Sequence, residues 1–217
     1  GAMLVLVLAS PNTKGSVIYS NDFSTDPSAL FTTYYDGVNY AYNGTEDYID
    51  ASRNVTGHAG WDQLTGAATG EDNIIVQTKL SVALGSPNNL YAVIGGLYGR
   101  TTPGAASYTT GYYAVLGRSS WSTGDPTMRL YLGRDMGANM VVTAADMGTV
   151  LGTGTYAASG STDYILKLSM NGTYILAQLW NGTGDTLLDQ ISADDAIYSS
   201  GNVGFVTAVR SGTTHYY

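Results

Sequence analysis

The acidic residues are candidates for a catalytic site, because paired carboxylates could perform general acid–base chemistry such as glycosidic cleavage. Glu46, Asp47 and Asp50 form one cluster, and their Tyr/Asn/Gly surroundings predict a loop. Glu71 and Asp72 follow a glycine and are expected in a turn. We therefore interpret both groups as solvated or turn-capping carboxylates rather than as a catalytic pair.

The sequence also offers no convincing set of residues for a nucleophilic catalytic triad. The chain has no cysteine, which excludes a thiolate nucleophile, a disulfide framework and a thiolate metal site. A serine nucleophile would need His58, predicted in a Gly-rich loop, or His215, near the end of the sequence. Neither follows a Gly-x-Ser-x-Gly elbow. These absences favour a non-catalytic role, with the enzyme question left open.

The segment from Tyr98 to Arg134 has the residue types of a binding site. Flat aromatic rings and planar hydrogen-bonding groups are the combination that recognises sugars. The segment holds four of the six arginines beside several aromatic residues: Arg100, Arg118, Arg129, Arg134, Tyr98, Tyr112, Tyr113, Trp121 and Tyr131. Strand alternation predicts that Tyr98 shares a face with Arg100, and Arg129 with Tyr131. The alternative is the ordinary solvated face of a sheet, where Tyr and Arg often stack.

The composition limits the partners. Only 12% of the residues are charged and the formal net charge is −8, with 28 glycines and 18 tyrosines. The acidic balance argues against nucleic acid, and no run is long enough to cross a bilayer. Gly, Thr, Ser, Asn and Tyr favour strands and turns. This composition is typical of a secreted or cell-surface β-protein.

Strand-like runs recur between turn residues along most of the chain, which predicts a sandwich or barrel. One helix-like piece of one or two turns is expected at Ala193–Tyr198. The predicted strands are Ile74–Leu84, Leu90–Leu97, Gly111–Arg118, Met128–Gly133, Met140–Ala144, Tyr164–Met170, Tyr174–Trp180 and Asn202–Val209. The apolar run Leu4–Ala9 is expected to form the first strand of the chain, and the stub of a secretory signal is the alternative.

One hairpin is predicted in detail. Apolar residues alternate through Tyr164–Met170 and Tyr174–Trp180, and the dipeptide Asn171-Gly172 between them predicts a type I′ turn. Placing the larger apolar sets inward leaves Lys167, Gln178 and Trp180 on the outer face. An indole outside the core is a candidate ligand contact.

This hairpin resembles the central hairpin of the concanavalin A-like (laminin G-like) jelly rolls. Three further pieces fit the same family in order along the chain. They are the opening strand Tyr19–Ser24, the middle strands Gly111–Gly117 and Met128–Gly133, and the penultimate strand Gly201–Thr207. The resemblance covers most of residues 16–217 and implies an all-β, two-sheet antiparallel jelly-roll sandwich.

The resemblance also indicates which catalytic motifs and which metal site to look for in the sequence. Jelly-roll glucanases carry Glu-x-Asp-x-x-Glu on one strand, and related lyases carry a Gln-x-His strand; this sequence has neither. Relatives often hold a structural Ca²⁺ at the sandwich edge, which would place Asp22 and Asp26 among its ligands here. The family's acidic closing strand is missing. Turn capping is the alternative role for Asp22.

We therefore expect a tag remnant at residues 1–3 and a single jelly-roll domain over 4–217, with a longer multidomain parent protein as an open alternative. The leading hypothesis is a non-catalytic, lectin-like module that binds a glycan or polysaccharide. A structural or adhesive domain and a polysaccharide-degrading enzyme are the alternatives. The predicted site lies on the concave sheet and comprises Trp121, Trp180, Tyr131, Arg129, Arg118, Tyr98, Arg100 and Gln178.

Overall fold

The chain forms two antiparallel β-sheets packed face to face. A computed structural model describes residues 4–8, 16–21, 24–26, 29, 31–34, 39–43, 48–52, 58–64, 73–83, 94–102, 110–117, 128–136, 147–159, 162–209 and 214–216. Sixteen strands are present in these ranges, and no α-helix is. The predicted all-β, two-sheet antiparallel jelly-roll sandwich is confirmed.

Nine strands make sheet A, in the order β14-β13-β12-β7-β16-β5-β4, with β1 between β7 and β2. Their bounds are β1 Leu4–Leu8, β2 Ser16–Asn21, β4 Asn39–Asn43, β5 Tyr48–Ser52, β7 Asn73–Ala83, β12 Asp163–Asn171, β13 Tyr174–Asn181, β14 Leu187–Asp194 and β16 Thr214–Tyr216. Sheet A thus joins both ends of the described chain through β7, which pairs with β1 and with β16.

Seven strands make sheet B, in the order β11-β10-β9-β8-β15-β6-β3. Their bounds are β3 Phe31–Tyr34, β6 His58–Leu64, β8 Ile94–Thr101, β9 Tyr112–Gly117, β10 Arg129–Arg134, β11 Thr149–Thr153 and β15 Asn202–Val209. The sequence places a strand at Met140–Ala144, which lies outside the described residues.

The core lies between the two sheets because each strand turns one alternate set of apolar side chains inward. Leu166 and Leu168 of β12 and Ala177 of β13 are fully buried on this side of sheet A. Leu130 and Leu132 of β10 join the same core from sheet B. Truncating such side chains typically costs about 2–5 kcal/mol, so this layer dominates the stability.

The β12–β13 hairpin has the predicted alternation of inward and outward residues, but its turn lies one residue further along the chain than predicted. Leu166 pairs with Leu179 and Lys167 with Gln178. Asn171 pairs with Tyr174, so the two loop residues are Gly172 and Thr173 rather than Asn171 and Gly172. Gly172 has φ +57° at the first loop position, which is the glycine pattern of a type II′ turn.

Three local predictions are wrong. The helix expected at Ala193–Tyr198 is absent, since β14 runs to Asp194 and the chain continues without regular structure to Ser200. Asp50 lies in β5 and His58 begins β6, so neither is in a loop. Local composition misleads at these positions because strand pairing with distant segments overrides it.

Candidate functional site

Trp180 and Gln178 lie on the outer face of sheet A. The inward positions of β13 are Ile175, Ala177 and Leu179, all fully buried. The intervening residues Leu176, Gln178 and Trp180 are half-buried on the opposite side. The sequence prediction that the hairpin turns Lys167, Gln178 and Trp180 outward therefore agrees with the structure.

The strand register arranges this outer face in rows that cross β7, β12, β13 and β14. The row that we call the polar row consists of Gln77, Lys167, Gln178 and Gln190, which are consecutive register partners. Gln178 Nε2 lies 3.5 Å from Gln190 Oε1. With neighbouring strands about 4.8 Å apart, the polar row extends for about 14 Å.

The adjacent row carries the aromatic ring. Lys79, Ile165, Trp180 and Leu187 are register partners there, and Leu187 is 39% exposed. The Lys79 ammonium lies 2.6 Å from the Asp163 carboxylate. An indole thus lies beside a line of amide groups on an accessible face, which is a chemically suitable surface for a sugar ring and its hydroxyls.

Tyr131 and Tyr98 lie on sheet B instead. Arg129 and Tyr131 share the outer face of β10, as predicted, because Leu130 and Leu132 take the inner positions. Arg129 Nη1 donates to the Thr155 carbonyl at 2.8 Å. Tyr131 is 4% exposed and Tyr98 is fully buried, so neither ring is accessible on this side.

Arg100 does not share a face with Tyr98, and that prediction is wrong. The β8–β15 register shifts between Gly99 and Thr101, and Arg100 has φ +54°. This bulge turns the side chain away from the alternating pattern. Arg100 is 1% exposed, and its Nη1 donates to the carbonyls of Gly172 at 2.7 Å and Tyr198 at 2.9 Å. Its role in the structure is to tie β8 to the β12–β13 turn.

The predicted constellation is therefore divided between the two sheets. Trp180 and Gln178 lie on the outer face of sheet A, whereas Tyr131 and Arg129 lie on the outer face of sheet B. One shallow site on a single sheet cannot contain Trp180 and Tyr131 together, which corrects the predicted grouping. Arg118 and Trp121 lie outside the described residues, and their roles stay predictions.

A polar network, which sequence reasoning missed, closes one end of the sandwich. Asp195 accepts hydrogen bonds from the Tyr112 hydroxyl at 2.7 Å and from Arg134 Nε at 3.0 Å. Arg134 Nη1 also donates to Asp135 at 2.5 Å, and the Tyr198 hydroxyl donates to Asp135. Burial, and then the Asp135 carboxylate, raise the pKa of Tyr198 to about 12. The network fixes the segment that follows β14.

Asp195 should make the stability depend on pH. Burial acts to raise the pKa of Asp195, but hydrogen bonds from the Ile197 N–H, Tyr112 and Arg134 outweigh it, so the pKa is lowered. A folded-state pKa below the unfolded value, near 3.9, gives stability that is present above that value. This contribution is lost as the pH falls through the folded-state pKa.

We expect Asp195→Asn to lower the free energy of unfolding at pH 7 by about 2 kcal/mol. The decrease between pH 6 and pH 3, measured by urea denaturation, should be smaller in the variant than in the unchanged protein. Asp194→Asn, at an exposed neighbour, is the control and should change stability by less than about 0.5 kcal/mol. An equal acid-induced decrease in the Asp195 variant would contradict this role.

The described residues do not assemble the predicted calcium site. Asp26 is exposed, and Asp22 lies outside the described residues. Within the described ranges, no three His, Cys, Asp or Glu residues are grouped so that they could hold a metal ion. Likewise, no helix in the described part of the chain is long and apolar enough to span a bilayer.

The fold is similar to that of solved lectin domains and a carbohydrate-binding module, in agreement with the jelly roll that the sequence resemblance implied. The carbohydrate-binding module CBM66 from Bacillus subtilis superposes with a TM-score of 0.55 at 17% identity, over 86% of this chain and 91% of that one. A legume lectin-like domain from Entamoeba histolytica gives 0.59 at 13%, over 92% of each. The Ca²⁺/Man3GlcNAc-bound lumenal domain of VIP36 gives 0.62 at 12%, over 88% and 86%. No protein-family model matches the sequence, and no curated protein matches it significantly.

Proposed function

We propose that this protein is a lectin-like module, secreted or displayed at a cell surface, that binds a glycan without cleaving it. The observation that carries the proposal is the half-buried indole of Trp180 beside the amides of Gln178 and Gln190 on the outer face of sheet A. A ring of this kind stacks on the apolar C–H face of a pyranose. The neighbouring amides donate and accept hydrogen bonds with its hydroxyls. The proposal is supported by the solved structures of similar fold, which include a carbohydrate-binding module and a lectin-like domain.

The structure alters where we place the ligand. Of the residues that the sequence suggested, Trp180 and Gln178 are retained as contacts. Tyr98 and Tyr131 are no longer assigned as ligand contacts, because their rings are buried. Arg100 is no longer assigned as a ligand contact, because its guanidinium donates hydrogen bonds to backbone carbonyls inside the fold. Arg118 and Trp121 are a separate proposal for the region between β9 and β10.

Replacing the indole gives the direct test. We expect Trp180→Ala to weaken glycan binding by at least about tenfold, since a few anchors, Trp prominent among them, typically carry most of the binding energy of an interface. Affinity is measured on a glycan microarray and then by calorimetry with the bound polysaccharide, in calcium and in chelator. The size of the polysaccharide is checked after incubation, because shortening would indicate an enzyme.

Tyr174→Ala is the matched control. Tyr174 is also an aromatic residue of β13, 46% exposed on the same face, but it lies six residues, about 20 Å, from Trp180. We expect the glycan affinity of the Tyr174→Ala variant to stay within about twofold of that of the unchanged protein. Equal losses in both variants would indicate a general effect on the sheet. A blank array would instead favour the structural or adhesive domain.

A further inference from the structure

The outer face of sheet A contains a lysine, Lys167, that has no counter-ion among the residues that the structure describes. The chain has three lysines, Lys14, Lys79 and Lys167, and two of them lie on this face. Lys79 is neutralised by Asp163 at 2.6 Å. No carboxylate among the described residues lies within 4.0 Å of the Lys167 ammonium. Lys167 therefore places a cation, with no carboxylate partner in the described part of the chain, at the middle of the polar row of a protein whose formal net charge is −8.

The neighbours of Lys167 are amides. Its register partners are Gln77 on β7 and Gln178 on β13, and Gln190 follows on β14. Amide groups satisfy the hydroxyls of a neutral sugar but cannot balance an ammonium charge. A ligand carboxylate beside Lys167 would do so through a charge-assisted hydrogen bond, which is about twice as strong as a neutral one.

The positions of Trp180 and the polar row would also orient a bound glycan chain. Trp180 is two residues along β13 from Gln178, so the indole lies about 7 Å to one side of the polar row. A sugar stacked on Trp180 would direct its substituents toward Gln178 and Lys167. The polar row continues on both sides of Lys167, which suits an oligosaccharide more than a single sugar.

We infer that the outer face of sheet A selects an acidic glycan, a polymer with uronic acid residues, whose carboxylate pairs with Lys167 while a neighbouring ring stacks on Trp180. The inference rests on the proposed function and specifies its ligand class. The pairing is local. At about 0.15 M salt the Debye length is about 8 Å, so the distant acidic residues of the protein are largely screened from the contact.

The test compares acidic polymers with their carboxyl-reduced forms. Polygalacturonate, alginate and hyaluronan are each titrated, native and carboxyl-reduced, against the full chain at 0.15 M salt. We expect at least one native polymer to bind about tenfold more tightly than its reduced form, the equivalent of one charge-assisted contact. Lys167→Gln should abolish that preference while binding to the reduced form persists. Lys167→Arg should keep the preference.

The outcomes separate the two claims. If the protein binds native and reduced polymers equally, or if Lys167→Gln retains the preference, the acidic-glycan inference is wrong while the module still binds glycan. If no polymer binds, and the microarray is also blank, both the inference and the proposed function fail. Circular dichroism of each variant, with an unchanged melting temperature, shows that the fold is intact.

Discussion

Arg100→Met should be among the most destabilising single substitutions in this chain, lowering the free energy of unfolding by about 3 kcal/mol. The Arg100 guanidinium is buried and donates to two backbone carbonyls, those of Gly172 and Tyr198. It also lies over the Tyr112 ring, with Cζ 6.0 Å from the ring centroid. Methionine fills part of the volume but leaves both carbonyls without this donor, so the desolvation penalty is retained.

Urea denaturation followed by tryptophan fluorescence measures this effect, with Arg129→Met as the matched control. Arg129 is an arginine of the same sheet, but its hydrogen bond to the Thr155 carbonyl is exposed to solvent. We expect that variant to lose less than about 1 kcal/mol. Similar losses for the two arginines would mean that Arg100 does not tie the sheets together as its contacts indicate.

Gly96→Ala should be comparably severe, because the added methyl group has no space. A Cβ at Gly96 would lie 2.1 Å from the carbonyl oxygen of Ala114 and 2.7 Å from the Cα of Val115. Both are backbone atoms of the adjacent strand β9, which is fully buried, so they cannot move without separating the strands. We expect a loss of about 3 kcal/mol or more, at the upper end for overpacked cores.

Gly152→Ala makes the same chemical change at an edge strand. There a Cβ would meet the Ile191 side chain at 2.3 Å, with no backbone atom within 4 Å, and Ile191 is half-buried. Because Ile191 can turn about χ1 and the edge strand β11 can shift slightly, we expect a smaller loss than at Gly96, about 1–2 kcal/mol. Melting temperatures of the two variants give the comparison, and a Gly96 variant as stable as the Gly152 variant would contradict the close packing of β8 against β9.

The hairpin from Tyr164 to Trp180 could be predicted from the sequence because its information is local. Strict alternation fixes which residues point inward, and the glycine of the turn locates the loop to within one residue. The same alternation fails at Arg100, where a bulge inserts an extra residue into β8. Nothing in the local sequence marks that bulge, since an arginine at positive φ is held there by contacts with distant segments.

The candidate site depends on information that is not local. Trp180 and Gln178 could be proposed because they follow from the hairpin alone. Gln77 and Gln190 could not, since their positions require the pairing of β12 with β7 and the presence of β14. The grouping of Trp180 with Tyr131 failed for the same reason, as no sequence pattern specifies which sheet each strand joins. Only the assembled register brings the polar row together.

The most direct test of the central claim observes the three tryptophans during ligand binding. The chain contains Trp61, Trp121 and Trp180, so a ¹H–¹⁵N spectrum of the protein should show three indole signals. Trp180→Phe assigns one of them. We predict that titration with the tightest-binding polysaccharide fragment shifts the Trp180 signal, because the sugar stacks on that ring. A Trp180 signal that stays in place while the fragment binds would contradict the assignment of the glycan site to the outer face of sheet A.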